Sequence, residues 1–83
     1  MTGRGAAQRN RLVRQMLSEM ADRLEARRPG APLTSVGRLA LIQATTMDPA
    51  LSSALRGRCP EVATPVVRRA YAARLREIAE GTA

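Results

Sequence analysis

The fold is decided by residues 6–28, AAQRNRLVRQMLSEMADRLEARR. Apolar side chains recur in this segment at steps of three and four residues, which places them on one face of an α-helix. These residues are Leu12, Val13, Met16, Leu17, Met20, Ala21 and Leu24. The segment therefore predicts one long amphipathic helix, which Pro29 and Gly30 bring to an end.

Three shorter helices are predicted after it, each introduced by a side chain that can cap a helix N-terminus. They cover residues 35–45 after Thr34, 49–56 after Asp48, and 65–80 after Thr64. Proline at the first helical position supports the last two starts. No segment shows the alternating pattern of a strand. The predicted fold class is all-α, a small four-helix bundle in which two longer outer helices bracket two short central ones.

The second of these helices contains the run LALI at residues 39–42. Because a helix that is hydrophobic on nearly all sides is buried, we expect this short helix to lie deep in the core.

The length of 83 residues predicts one domain. We assign residues 6–81 to a single helical domain and residues 1–5 to a flexible basic N-terminal arm. The core has little bulk, because the chain has no Phe or Trp and only one Tyr, while Ala supplies much of its apolar content. Small domains with a thin core gain stability by oligomerisation, so we expect self-association, most simply a homodimer.

The charge balance is the most informative bulk property. Fourteen basic residues, all of them Arg, face seven acidic ones, which gives a net charge of +7. A field of that sign attracts phosphates, anionic lipid or acidic protein surfaces. Arginine also presents a planar fork of donors that fits phosphate oxygens and guanine edges.

Catalytic and metal-binding functions find no support in the composition. The chain has no His and no Lys, so neither Ser52 nor Ser53 has a base to activate it. One cysteine, Cys59, cannot form an intramolecular disulfide or a cysteine-based zinc site. We therefore expect no enzyme activity, no metal and no cofactor. A lone cysteine, with neither a membrane span nor a signal peptide in view, favours the cytoplasm.

The first candidate for a nucleic-acid contact is the basic N-terminus. Arg4, Arg9, Arg11 and Arg14 occur within 14 residues that contain no acid. A basic arm that leads into a helix can lie along phosphates or enter a minor groove. A solvated tail and helix face explains the same residues equally well.

The second candidate is the start of the second helix. Thr34, Ser35 and Arg38 surround the free amides of a helix N-terminus, an arrangement that can hold a phosphate. Ordinary helix capping is the favoured interpretation, since every helix start needs a cap.

The third candidate is the pair of short central helices. Ser52, Ser53 and Arg56 would lie on the outer face of the second member of a helix-turn-helix. The turn lacks the usual glycine, and Pro49 is atypical at the start of a recognition helix. A plain helical hairpin is therefore the favoured interpretation.

The function that these features favour is binding of nucleic acid, most readily DNA, by a small basic regulatory or accessory protein. The alternative is a non-catalytic adapter that docks on an acidic protein surface. A membrane partner is not expected, because the first helix carries three acids and no interfacial aromatic residue.

Overall fold

The computed structural model describes the backbone of residues 2–82 and the side chains of residues 5–82. Helices and one two-stranded sheet follow along the chain in the order α1 (Thr2–Ala26), β1 (Pro32–Leu33), α2 (Ser35–Thr45), α3 (Pro49–Arg58), β2 (Val66–Val67) and α4 (Arg68–Gly81). The predicted small fold of four helices is confirmed. The short sheet was not predicted.

Helix α1 differs from the prediction at both ends. It begins at Thr2, so residues 2–5, expected to be a flexible arm, continue the helix. It stops at Ala26, two residues early, because the residue before a proline is disfavoured in the α conformation. That residue, Arg28, instead takes a left-handed backbone with φ of 47°, as the residue after a helix end often does.

The sheet explains why α4 starts later than predicted. Pro32 pairs with Val67 and Leu33 with Val66 in an antiparallel register, so the two valines are held in extended conformation. Thr64 therefore does not cap α4, which begins without a side-chain cap. The backbone N–H groups of Arg68 and Arg69 donate instead to the carbonyls of Ala31 and Pro29, each at 2.9 Å. The turn after α1 thus satisfies the amides at the start of α4.

The core lies between α1 and α4, which make the most extensive helix contact in the molecule. The α2–α3 pair and the loop before β2 close it on the remaining side. The buried apolar residues are Val13, Leu17, Met20, Ala21, Leu24, Leu33, Ile42, Leu55, Cys59, Val62, Tyr71, Ala72, Leu75 and Ala79. Most of the stripe predicted for the first helix is among them, while Leu12 is partly exposed.

Two of the predicted helix caps are confirmed. The Thr34 hydroxyl accepts a hydrogen bond from the Gly37 N–H at 3.1 Å, and the Asp48 carboxylate accepts from the first turn of α3. The predicted deep burial of α2 is wrong. Ile42 is its one fully buried apolar side chain, whereas Leu39 is 41 % exposed. The helix packs through one face only, and the apolar run extends round to the solvent side.

The second buried side chain of α2 is a cation. Arg38 is only 8 % exposed, and its guanidinium donates to the carbonyls of Arg56 and Cys59, with Nη2 at 2.8 Å from each. These carbonyls lie at the C-terminal end of α3, where the helix dipole favours a positive charge. Arg38 thereby joins α2 to the end of α3 through the interior of the protein.

We predict that Arg38→Ala lowers the free energy of unfolding by about 2–3 kcal/mol, because it leaves buried carbonyls without a donor. Urea denaturation followed by circular dichroism measures the change. The control, Arg56→Ala, removes the same charge from an exposed side chain and keeps the backbone carbonyl, so it should cost no more than about 0.5 kcal/mol. Equal stability of the two variants would contradict a structural role for Arg38.

Tyr71, the chain's one aromatic residue, lies beside the Arg38 contacts that join α2 to α3. Its hydroxyl donates to the Pro60 carbonyl at 2.6 Å. Burial, with a smaller contribution from nearby Cys59, raises the pKa of Tyr71 to about 12, although Arg38 opposes the shift. Burial likewise raises the pKa of the Cys59 thiol to about 11. Both groups are therefore uncharged in the folded protein at neutral pH.

We predict that the phenol of Tyr71 ionises in the folded protein near pH 12, and near its ordinary value of about 10 in denaturant. Because the folded pKa is the higher one, the stability linked to it is fully present below pH 10 and is lost as the pH rises towards 12. Tyrosinate absorbance, with circular dichroism in parallel, measures both effects. Ionisation near pH 10 with the helices intact would contradict the assignment.

Candidate nucleic-acid interface

Of the residues predicted to contact nucleic acid, Arg38 is the clearest correction. Its guanidinium is buried and is occupied by the carbonyls at the end of α3, so it does not reach a phosphate outside. Thr34 is exposed, but its hydroxyl caps its own helix, as the favoured interpretation held. Ser35 is exposed as the first residue of α2. The phosphate site predicted at the start of α2 therefore lacks the cation that was expected there.

The N-terminal arginines do not form one patch. The side chain of Arg4 lies outside the part of the chain whose side chains are described, and Arg11 is exposed. Arg9 lines a cavity between α1 and the start of α3 that also contains Asp48. Arg14 lines a different cavity, together with Arg76 and Glu80 of α4. Each of these two cavities therefore contains a carboxylate that offsets its positive charge.

The third candidate is the central helix pair, α2 and α3. Residues 46–48 join α2 to α3, and Ser53 and Arg56 are exposed on the outer side of α3, whereas Ser52 is half-buried. The Arg38 contacts hold the two helices as one unit. Of the two exposed arginines of α3, Arg58 contacts the Thr82 hydroxyl, which leaves Arg56 as the one predicted to contact nucleic acid.

A group of five arginines lies where α1 ends and α4 begins. We call it the arginine cluster, and its members are Arg23, Arg27, Arg28, Arg68 and Arg69. The turn that separates α1 from β1 brings the two ends together, since Arg69 bonds through its N–H to the Pro29 carbonyl. The Arg69 guanidinium lies beside Gly30, 3.5 Å from where a Cβ would stand. Arginines as far apart in the sequence as Arg27 and Arg68, 41 residues, are thus brought together.

A cavity of about 400 Å³ opens into this cluster. Arg23, Arg27 and Arg68 line it, and Ala26 and Leu41 complete its walls. Two of the arginines are anchored: Arg68 Nε donates to the Arg27 carbonyl at 2.9 Å, and Arg23 Nη1 lies 3.4 Å from the Ala44 carbonyl. Because a guanidinium has five N–H donors, each anchored side chain keeps donors for a ligand.

Among the residues whose side chains are described, no carboxylate lines this cavity. The acids nearest in sequence, Asp22 and Glu25, pair instead with Arg76 of α4, Asp22 at 2.7 Å. Those carboxylates raise the pKa of Arg76 above its ordinary value. The described lining of this cavity is therefore free of carboxylates, in contrast to the cavities that contain Arg9 and Arg14.

The arginine cluster was not predicted, although the sequence contains a signal for it in the doublets Arg27-Arg28 and Arg68-Arg69. The two arginine doublets lie in the acid-free stretches 26–47 and 62–76. The two doublets lie close together because β1 and β2 pair in antiparallel orientation. Strands of two residues have no recognisable sequence pattern, so this pairing was not predicted.

No group of three potential metal ligands occurs within the described part of the chain. None of the helices described is long and apolar enough to cross a bilayer. Comparison with protein-family models, with curated proteins and with solved structures finds no match.

Proposed function

We propose that this protein binds nucleic acid, most readily duplex DNA, through phosphate contacts made by the arginine cluster, as a small non-catalytic regulatory or accessory protein. The observation that carries the proposal is the cluster itself: five arginines where α1 ends and α4 begins, three of which line a cavity whose described lining contains no carboxylate. A surface of this kind attracts a polyanion before any specific contact forms.

The chemistry of the side chains supports phosphate as the ligand. Guanidinium groups bind phosphate oxygens through paired N–H donors, and neutralising the phosphates releases condensed counterions. Arg23 and Arg68 are held by backbone carbonyls before a ligand arrives. Ordering them on binding therefore costs less conformational entropy than ordering a mobile side chain.

Duplex DNA is favoured over single strands by the state of the aromatic residue. Single-strand binders stack successive bases on exposed aromatic rings. Tyr71 is the chain's single aromatic residue, and it is buried with its hydroxyl bonded to Pro60. Ser53 and Arg56 on the outer side of α3 supply a further polar face for the same partner, although the proposal does not depend on them.

The second candidate function is an adapter that docks on an acidic protein. The observation that favours it is the apolar part of the cavity, Ala26 and Leu41, which a phosphodiester does not need. A carboxylate next to an apolar side chain would use both parts of the lining. Binding of a protein with acidic surface patches, without binding of DNA, would select this function.

The proposal predicts that changing Arg27, Arg28 and Arg69 together to Gln weakens binding to a duplex of about 20 base pairs at least tenfold at ~50 mM salt. If each side chain neutralises one phosphate, the negative slope of log K against log salt becomes shallower by about 3. Fluorescence anisotropy of a labelled duplex over a salt series measures both quantities. None of these three side chains makes a hydrogen bond or ion pair within the described part of the protein, so the fold should be kept.

The matched control changes Arg9, Arg11 and Arg14 to Gln, which removes the same charge from the exposed part of α1. We expect it to weaken binding less than threefold, through the general field alone. Equal losses in the two variants would show that net charge, and not the arginine cluster, controls binding. Absence of wild-type binding at low salt would refute the proposal.

A further inference from the structure

The cavity in the arginine cluster holds more positive charge than one internal phosphate of a strand balances. Its described lining contains three guanidinium groups, those of Arg23, Arg27 and Arg68, and no carboxylate. An internal phosphodiester carries one negative charge, whereas a phosphate monoester carries about −1.5 to −2 at pH 7. A monoester therefore balances the cavity better. In a nucleic acid, this group occurs at the end of a strand.

The N–H donors in the cavity suit a group with several exposed oxygens. Arg68 uses Nε for the Arg27 carbonyl, so both of its Nη groups keep their donors. Arg23 uses Nη1 for the Ala44 carbonyl, so its Nε and Nη2 keep theirs. Each side chain thus retains a two-nitrogen fork, and such forks bind phosphate oxygens in pairs. A monoester presents three acceptor oxygens to these forks.

The backbone carbonyls that would repel an anion here are the ones that the arginines contact. The C-terminal end of a helix carries a partial negative charge, and both α1 and α2 end near the cavity. Arg68 donates to the carbonyl that follows α1, and Arg23 to a carbonyl in the last turn of α2. These contacts offset the partial charge, so the anion meets the remaining guanidinium donors.

The rest of the lining suits the carbon atoms next to a terminal phosphate. Ala26 and Leu41 supply apolar walls, and the volume of about 400 Å³ is within the range of small-molecule sites. The phosphate of a nucleotide is joined to a sugar, whose carbon atoms can contact these walls. Inorganic phosphate would leave them unused. Arg28 and Arg69 lie outside the lining and remain for other phosphates of the same strand.

We infer that this cavity is a site for the phosphate monoester of a nucleotide, either at the end of a DNA strand or in a free nucleotide. The inference deepens the proposed function and rests on it, because the same arginine cluster contacts the rest of the strand. The protein then prefers duplexes whose ends are phosphorylated over duplexes whose ends carry hydroxyls.

The test compares two duplexes of about 20 base pairs at ~100 mM salt, identical except that one carries 5′-phosphates and the other 5′-hydroxyls. With an internal label, fluorescence anisotropy should show about tenfold tighter binding of the phosphorylated duplex, the effect of one added charge-assisted contact. Equal affinity of the two duplexes overturns the inference and leaves the proposed function intact. Absence of binding to either duplex at low salt overturns both.

The pH dependence supplies a second measurement of the same preference. A phosphate monoester gains a proton near pH 6, so the preference should fall as the pH is lowered from about 7 to about 5. The ionisable groups in the described lining are all arginines, and the chain has no His. A preference that stays constant over this range contradicts binding of the dianion.

Competition against the phosphorylated duplex distinguishes the sources of the monoester. Displacement by about 1 mM thymidine 5′-monophosphate includes free nucleotides among the ligands, and its absence assigns the site to strand ends. Either result supports a nucleotide monoester site, provided that the duplex preference is present. Equal displacement by inorganic phosphate, or by a phosphoserine peptide, overturns the assignment to nucleotides.

A matched pair of variants locates the preference in the cavity. Arg27→Gln removes a guanidinium from the lining, and Arg28→Gln removes the neighbouring one from outside it. Neither side chain makes a hydrogen bond or ion pair within the described part of the protein, so both folds should be kept, which circular dichroism checks. We expect Arg27→Gln to reduce the preference to less than about threefold, and Arg28→Gln to weaken both duplexes alike. An equal preference in the two variants rules out the cavity as its source.

Discussion

Arginine side chains at the C-terminal ends of helices hold this small protein together. A helix end carries unpaired carbonyls and a partial negative charge, and burying it without a donor is costly. Here each helix end is contacted by an arginine from another element: Arg68 at α1, Arg23 at α2, Arg38 at α3 and Arg58, through the Thr82 hydroxyl, at α4. The core contains no Phe or Trp. These polar contacts therefore help to orient the helices, which the packing of large aromatic side chains does in other proteins.

This use of arginine changes how the net charge is interpreted. A surplus of seven positive charges suggests a binding surface, yet part of the arginine content serves the fold. Arg38 is the extreme case, since it is buried, and Arg76 pairs with two carboxylates. What identifies a binding surface is a group of guanidinium groups near which the fold places no carboxylate. The described lining of the cavity between α1 and α4 meets that condition, whereas the cavities next to Arg9 and Arg14 contain Asp48 and Glu80.

The structural features that depend only on neighbouring residues were predicted from the sequence. The apolar period of α1, the Thr34 cap and the Asp48-Pro49 start are local signals, and all three appear in the structure. Features that depend on distant residues were missed or mistaken. The β1–β2 pairing joins segments more than thirty residues apart, and because of it α4 begins later than predicted. The burial of Arg38 depends on where α3 ends, which the sequence of α2 does not contain.

The arginine contacts at the helix ends also link the fold to the proposed site. Arg23 and Arg68 each use one nitrogen to hold a helix end and line the cavity with the remainder of the guanidinium. A cation needed for folding is therefore already fixed in position for a ligand, so the binding surface requires little additional ordering. In a chain without Lys, this double use follows from the shape of the guanidinium, because an ammonium group offers three donors from a single nitrogen and cannot span a carbonyl and a phosphate in one plane. The arginine-only composition thus has a physical consequence for the site, whatever its origin.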